Sequence, residues 1–450
     1  MMTMTFGEII GWTGASPEHV DPAQIVANVT IDSRQTVPNS LFIALPGTRH
    51  HGHDFVENAW QAGATAMVES TFGLSGGPLL RTDNPLQAMD DMMRQMILAR
   101  HIHVVGITGS VGKTSLKELT TAVLRTRYDT GQSHGNYNTA IGLPLSFFGE
   151  SDLMTHFVAE MGMRQRGEIQ YLTKIAPPEV AAISNIGPSH LEQLGSMEEI
   201  QAAKGEILEG LIEGGTAVLN YDDVRVRELG KRTDHRVLWY GHHADCDLRI
   251  IASQIENGHT RIELENHQGR WRVVLPWIGI HHGANVAAAL LIGEALGISL
   301  ADGIRGVENV DEERSRIHPI AIGKMTVLED VYNASPVSMK AGIDVLKSFS
   351  GRKVAVLGDM LELGAAETQG HFEVGQYAAD HADLVVAIGS RSQKIAEGAG
   401  SLGKHCDTLE DAFHLLQHIL RPNDVVFLKA SRGMHFEELV RWLKDWGGPQ

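Results

Sequence analysis

The sequence predicts an α/β fold divided into three domains, and three observations carry that reading. At 450 residues the chain exceeds the size at which one hydrophobic core keeps growing, so two or three cores are expected. Short β-branched runs alternate with stretches of helical apolar spacing, the signature of largely parallel sheets wrapped by helices. One such run, HIHVVGIT, ends in a glycine-rich loop that leads directly into a helical pattern.

Composition excludes several classes. Hydrophobic residues make up 43% and charged residues 21%, a balance that supports packed cores rather than disorder or a fibrous repeat. The net charge of −17, with no dense Lys/Arg run, removes the electrostatic basis for binding a nucleic-acid backbone. Cys246 and Cys406 stand far apart, without metal-ligand spacing, so neither a disulfide framework nor a zinc site is expected and a reducing cytoplasm fits. The start, MMTMTFGEIIGW, lacks a basic segment followed by a sustained apolar stretch, and no run of about 18 apolar residues follows. A cytoplasmic protein without membrane contact is expected. Most of the 23 His are scattered or lie in polar loops such as HHGHDF, where surface and structural roles are commonest.

In chain order, DSRQTVPNSLFIAL reads as a turn and a buried strand, and DFVENAWQAGATAMVES as an amphipathic helix and another strand. These form a small α/β domain expected over 1–85. A helical stretch near Asp90–Arg100 leads into HIHVVGIT, and KTSLKELTTAVLRTRY follows as a helix. THFVAEMG, EVAAISNIG and TAVLNYDD are further buried-strand candidates, and Ser196 with Glu199 suggests a capping box opening the helix that carries Lys204. The alternating segment Asp247–Trp277, around the Asn257-Gly258 turn, reads as an antiparallel hairpin appendage, followed by the Ala-rich helix ANVAAALLIGEALG. The central parallel-sheet domain is expected over 86–313. A new strand–helix series (MTVLEDVY, KVAVLGDM, LVVAIG, VVFLKAS) then predicts a doubly wound, Rossmann-like domain over 314–450.

The strongest local signal is GITGSVGKTS, Gly106 to Ser115, between a predicted strand and a predicted helix. Glycines let backbone amides turn toward a phosphate, and the helix N-terminus adds partial positive charge. Lys113 can reach the β/γ phosphates, and the Thr114 hydroxyl can ligate Mg²⁺. A P-loop-type ATP site over Gly109, Ser110, Val111, Gly112, Lys113, Thr114 and Ser115 is therefore expected, although Ile107 stands where the commonest spacing rule wants its first glycine. Glu160 closes a predicted strand and could present a hard oxygen to Mg²⁺, or be a half-buried acid satisfied by a helix N-terminus. Read alone, His190 is a structural His and Lys204 a solvated helical charge. Asn285, with His281 nearby, could offer donor and acceptor to a purine edge or simply cap a helix.

GITGSVGKTS is the form of this loop seen in the Mur ligases and the related folylpolyglutamate synthetases. The resemblance extends along nearly the whole chain through DSRQTVPNSLFIALPGTRHHGHDF, GNYNTAIGLP, AEMGMRQRGEI, NIGPSHLEQLGSMEEIQAAKGEI, GIHHGANVAAAL, EDVYNASPVSM, VLGDMLELG and KASRGM. It implies a ligase that uses ATP and two Mg²⁺ to join D-alanyl-D-alanine, through an acyl phosphate, to the carboxylate of UDP-N-acetylmuramoyl-tripeptide, working as a monomer in cell-wall precursor synthesis. It implies metal contacts at Thr114, Glu160, His190 and Lys204, the last carbamylated by CO₂. Nucleotide contacts are implied at His281, Asn285, Asp330 and Tyr332, and phosphate-stabilising cations at Lys113, Arg316 and Lys429. Substrate contacts are implied at Ser33, Arg34, Asn136, Asn138, Asn333, Ser431 and Arg432. The chain departs from the family pattern at His51, Thr139, His282 and Ser335, of which Thr139 and Ser335 leave open the third residue of the tripeptide and the strictness of the dipeptide preference. Three rival readings stand beside this one: a sibling ligase adding a single amino acid to a muramoyl peptide or glutamate to folate, a P-loop ATPase that couples hydrolysis to a conformational change, and a catalytically silent binding module.

Overall fold

The computed structural model describes residues 2–47 and 50–449, so Thr48 and Arg49 of the first-domain motif lie outside the described residues. Its strands form three sheets, one per group of predicted strand–helix units. The first has five strands in the order Ser16–Glu18, Leu79–Thr82, Thr65–Glu69, Ser40–Ile43, Asn28–Thr30, antiparallel only at the Ser16–Glu18 edge. Leu41, Phe42, Ile43, Ala66, Met67 and Val68 are fully buried, as strands covered on both faces require.

The helix Pro85–Ala99 ties this sheet to the next. Asn84 caps it, accepting from the amides of Leu86 and Gln87, and Pro85 occupies a position where its missing N–H does no harm. Met89, Met92, Met93 and Met96, spaced for one helical face, are buried in a single core shared with Leu41 and Met67 on one side and Phe147 and Phe157 on the other.

The central sheet has nine strands. From one edge they are Gly269–Leu275, His259–Asn266, Leu248–Glu256, Arg236–Gly241, Thr216–Asn220, Val180–Ile183, His103–Thr108, His156–Glu160 and Thr130–Gln132. The chain leaves His103–Thr108 to build strands on one side and then returns to Val180–Ile183 on the other. That strand is therefore a topological switch point, where open α/β sheets place ligands at the C-terminal strand ends.

The predicted appendage needs correction. The Asn257-Gly258 turn does form, with positive φ at both residues as a tight hairpin requires. Its strands, however, belong to a three-stranded meander whose first strand pairs in parallel with Arg236–Gly241 and so extends the main sheet. Alternate residues explain this: Ile250, Ile262, Leu264, Val273 and Leu275 are buried in the same core as the Ala-rich helix His282–Ala295.

The third sheet has six strands in the order His318–Ile322, Met325–Asp330, Val425–Lys429, Lys353–Gly358, Leu384–Ile388, Gly403–Cys406, all parallel except the first. Together the three sheets give the expected three-domain α/β architecture.

Candidate functional site

The site begins where the strand His103–Thr108 ends. The loop that follows is clamped by the residues after the neighbouring strand. Ser110 Oγ donates to the Gly187 carbonyl (2.9 Å) and accepts from the Gly187 amide (2.8 Å). Ser184 Oγ and Asn185 Nδ2 donate to the Val111 carbonyl (2.7 and 2.9 Å), while the Val111 amide donates to Asn185 Oδ1 (3.0 Å). Gly109 is required rather than permitted: its φ is 152°, and a Cβ there would fall 1.9 Å from Ser184 Oγ. Gly112, φ 82°, opens the helix Lys113–Leu124 and has no side chain to cap it, so the first-turn amides face outward as an anion site.

Lys113 lies back along the loop, Nζ donating to the Gly109 carbonyl at 2.7 Å. Burial pulls its ammonium below the ordinary lysine value, with Glu160 opposing and Arg316 adding to the shift. Thr114 Oγ1 donates to Glu160 Oε2 at 2.9 Å, and the other carboxylate oxygen accepts from Asn138 Nδ2 at 2.9 Å. Glu160 is held still further by the bond from its amide to Ser133 Oγ, 2.9 Å. A hydroxyl and a buried carboxylate thus converge at the head of the phosphate loop, the oxygen chemistry a hard divalent cation takes. Asn138, expected at the substrate, has Glu160 as its immediate partner, and the neighbouring Asn136 and Thr139 are exposed.

Third-domain residues reach this point. Arg316 donates to Thr114 Oγ1 (2.8 Å) and stacks over Tyr332 at 4.1 Å, with Arg432 on the same ring at 5.7 Å. One helical turn beyond Thr114, Glu118 pairs with Arg314, so the connecting segment is fastened to the loop helix twice. Lys429, 3% exposed, pairs with Asp330 at 2.5 Å. Ser431 Oγ accepts from the Leu361 amide, and Asn333 Oδ1 from the Ala334 amide. Ser335 caps the helix Pro336–Lys347 reciprocally with Ser338, which accounts for that departure locally.

His281 and Asn285 open the helix His282–Ala295, and neither serves it as a side-chain cap. Asn285 instead faces the phosphate loop, its Oδ1 3.1 Å from where a Gly112 Cβ would stand. His282 is buried beside Trp277, and burial holds it neutral, well below the ordinary histidine value.

Lys204 is the residue for which tertiary structure overrides the local reading. It is 2% exposed, not solvated, and sits in a helix whose N-cap Ser196 accepts from the Glu199 amide, half of the expected capping box. Burial drives its amine well below the usual lysine value, and the Lys113 ammonium adds to this. His190, φ 57°, lies near both lysines, with Nδ1 2.7 Å from Glu362 Oε2 of the third domain. Ser33 and Arg34 stand apart, on a 3-10 turn of the first domain where Arg34 pairs with Asp32 (2.7 Å) and is exposed; among the described residues neither bonds to the loop cluster.

Comparison with known proteins gives this cluster its context. The Mur ligase family catalytic domain matches residues 25–94, the Mur ligase middle domain 107–293, and the Mur ligase glutamate ligase domain 315–432. The chain belongs to the Mur ligase family. The UDP-N-acetylmuramoyl-tripeptide--D-alanyl-D-alanine ligase of Bacillus subtilis is 34% identical over 448 residues, covering 96% of each chain. Its namesake from Escherichia coli is 33% identical over 93% of this chain and 94% of its own. Among solved structures, MurF from Acinetobacter baumannii superposes with a TM-score of 0.91 at 28% identity and 99% coverage of both chains. MurF ligase from Thermotoga maritima, solved in complex with ADP, gives 0.83 at 28% identity, covering 93% of this chain and 97% of that one.

The sequence reading missed Ser184, Asn185, Gly187 and Ser189, which brace the loop, Glu118, which pairs with Arg314 from the loop helix, and Glu362, which meets His190 from the third domain. NIGPSH was visible as a motif, but no spacing rule links it to a loop some 75 residues earlier.

Proposed function

We propose that this Mur ligase joins D-alanyl-D-alanine to the terminal carboxylate of UDP-N-acetylmuramoyl-tripeptide with hydrolysis of ATP to ADP and phosphate, as a cytoplasmic monomer in peptidoglycan precursor synthesis. The observation that carries it is the meeting of Lys113, Thr114 and Glu160 with third-domain Arg316 at one phosphate loop, in a chain whose full-length relatives bear that activity's name. In this reading 1–85 holds the UDP end, with Ser33 and Arg34, 86–313 the nucleotide, and 314–450 the incoming dipeptide.

A carboxylate is a poor electrophile. Transfer of the ATP γ-phosphoryl to the tripeptide carboxylate gives an acyl phosphate; the dipeptide amine then attacks its carbonyl, and phosphate leaves as the amide forms. Lys113, Arg316 and Lys429 surround the transferring group with cations, which stabilises charge spread over its oxygens. The first-turn amides hold the phosphates in line, and approach of the third domain keeps water from the acyl phosphate. His281, Asn285, Asp330 and Tyr332 line the nucleoside side, and Asn136, Asn333, Ser431 and Arg432 the acceptor side.

The donor set at Thr114 and Glu160 fits Mg²⁺ by its chemistry, a hydroxyl and a buried carboxylate oxygen 2.9 Å apart at the head of the phosphate loop. A second Mg²⁺ fits beside His190 only if Lys204 carries an anion: its neutral amine attacks CO₂, forming an N–C bond and losing a proton to leave a carbamate oxygen donor. When bound, the ions supply neutralisation of the clustered phosphate oxygens.

The test is phosphate release from ATP by purified protein with UDP-N-acetylmuramoyl-tripeptide, with and without D-alanyl-D-alanine, beside single amino acids. Release that requires both substrates, with the dipeptide-extended product seen by mass, is expected. Release without any acceptor would point to an ATPase, and release with a single amino acid to a sibling ligase.

A further inference from the structure

Glu362 belongs to none of the roles above, yet its carboxylate reaches His190 from the third domain. Its Oε2 lies 2.7 Å from His190 Nδ1, a buried nitrogen that makes no aligned hydrogen bond to any group among the described residues. Both residues hold the left-handed backbone region, His190 at φ 57° and Glu362 at φ 65°, a conformation uncommon for side chains of this kind. The strain has a visible purpose. Gly364, φ 52°, brings the two backbones so close that a Cβ there would stand 3.0 Å from the Glu192 Cα. This close approach delivers Glu362 to His190 and to no other basic side chain among the described ion pairs.

We propose that Glu362 is a positioning residue for His190: the third domain sets its carboxylate against Nδ1, fixes the N–H there, and so leaves the Nε2 lone pair free to take a metal ion. A neutral imidazole carries one N–H, and whichever nitrogen meets an acceptor keeps it, so an outer carboxylate sets both tautomer and ring orientation. Here that carboxylate comes from a different domain than the ligand it orients. The second ion is then held well only when the third domain is in place, so phosphoryl transfer waits for the domain that brings the acceptor amine. In the present arrangement the 2.7 Å approach is an ion-pair contact rather than an aligned hydrogen bond, so the bond forms once the ring turns its N–H toward Oε2.

This rests on the ligase reading above, and the experiment separates the two. Mn²⁺ binding to the full chain is followed by electron paramagnetic resonance with a non-hydrolysable ATP analogue in bicarbonate buffer, for wild type, Glu362→Gln, Glu362→Asp and His190→Ala. X-ray scattering on the same samples reports domain closure. Glu362→Gln is expected to weaken the second Mn²⁺ by about 10–100-fold, as loss of an outer-shell partner does, with the first Mn²⁺ and the compaction unchanged. Glu362→Asp recovers part of that affinity, kcat falls with it, and KM for ATP stays put. If His190→Ala weakens the second Mn²⁺ and Glu362→Gln does not, the positioning role is wrong. Loss of compaction with both ions still tight would make the contact a domain latch, which also overturns it. If His190→Ala itself leaves the second Mn²⁺ unmoved, the failure lies in the reading of His190.

Discussion

Replacing Gly109 with Ala tests the clamp on the phosphate loop directly. The added methyl falls 1.9 Å from Ser184 Oγ and 3.3 Å from the Asn185 amide nitrogen, about 1.5 Å short of ordinary contact with the hydroxyl, so either the loop or Ser184 must move. A φ of 152° is also one that glycine alone adopts readily, adding about 1–3 kcal/mol of backbone strain. Overpacking of a tight site adds about 1–3 kcal/mol more, so the variant should lose about 2–6 kcal/mol of unfolding free energy. Ser184→Ala alone removes the 2.7 Å bond to the Val111 carbonyl and should destabilise by about 1 kcal/mol. The double variant removes the hydroxyl that the methyl strikes, so it should be less destabilised than the sum of the single changes by about 1–2 kcal/mol. Urea denaturation of the four proteins, with and without a non-hydrolysable ATP analogue, measures all of this. An alanine variant within about 0.5 kcal/mol of wild type, or strict additivity in the double variant, would refute the clamp.

The remaining expectations concern charge. Lys204→Met should lower turnover by at least about 100-fold, as loss of a metal-site ligand does, and removal of CO₂ and bicarbonate should lower wild-type activity reversibly. Because the folded amine binds protons less readily than the unfolded one, wild-type stability rises with pH toward 10.5, so the Met variant should melt higher at neutral pH, by a margin that shrinks as pH rises. Asp90, 3% exposed beside the Tyr171 hydroxyl, has its carboxyl pushed up by burial from 3.8 to about 7. The native state holds that proton where the unfolded state has lost it, so stability falls as pH rises from 3.8 through 7, by roughly 4 kcal/mol at most; Asp90→Asn should flatten that slope in thermal melts. Arg316→Ala should reduce kcat by about 100–1000-fold while costing only about 1 kcal/mol of stability, because it removes a cation from the phosphoryl site but only one half-buried hydrogen bond to Thr114 and a stack over Tyr332.

The architecture was legible because its signals are local. The β-branched runs, the Ala-rich helix and the Asn257-Gly258 turn each declare their conformation within a dozen residues, and GITGSVGKTS declares both its conformation and its ligand. The appendage was misplaced for the same reason: alternation fixes which face of a strand is apolar but not which strand it will pair with. Asn138 shows the limit at the site. Its motif marked it as functional, but only the fold shows that its amide turns to Glu160.

The sequence by itself thus determined the three-domain α/β plan, the phosphate loop with Lys113 and Thr114, and, through motif order, the family. Tertiary structure alone decided the protonation and partners of the site. Lys204 reads as a surface charge on a helix and becomes a buried amine of lowered basicity because the strands and neighbouring helices of the central sheet cover it. Gly109 must be glycine because Ser184, 75 positions later, occupies its side-chain space, and His190 meets an acid from another domain. Burial and electrostatics depend on distance in space, and a linear pattern carries distances only as far as one turn or one strand.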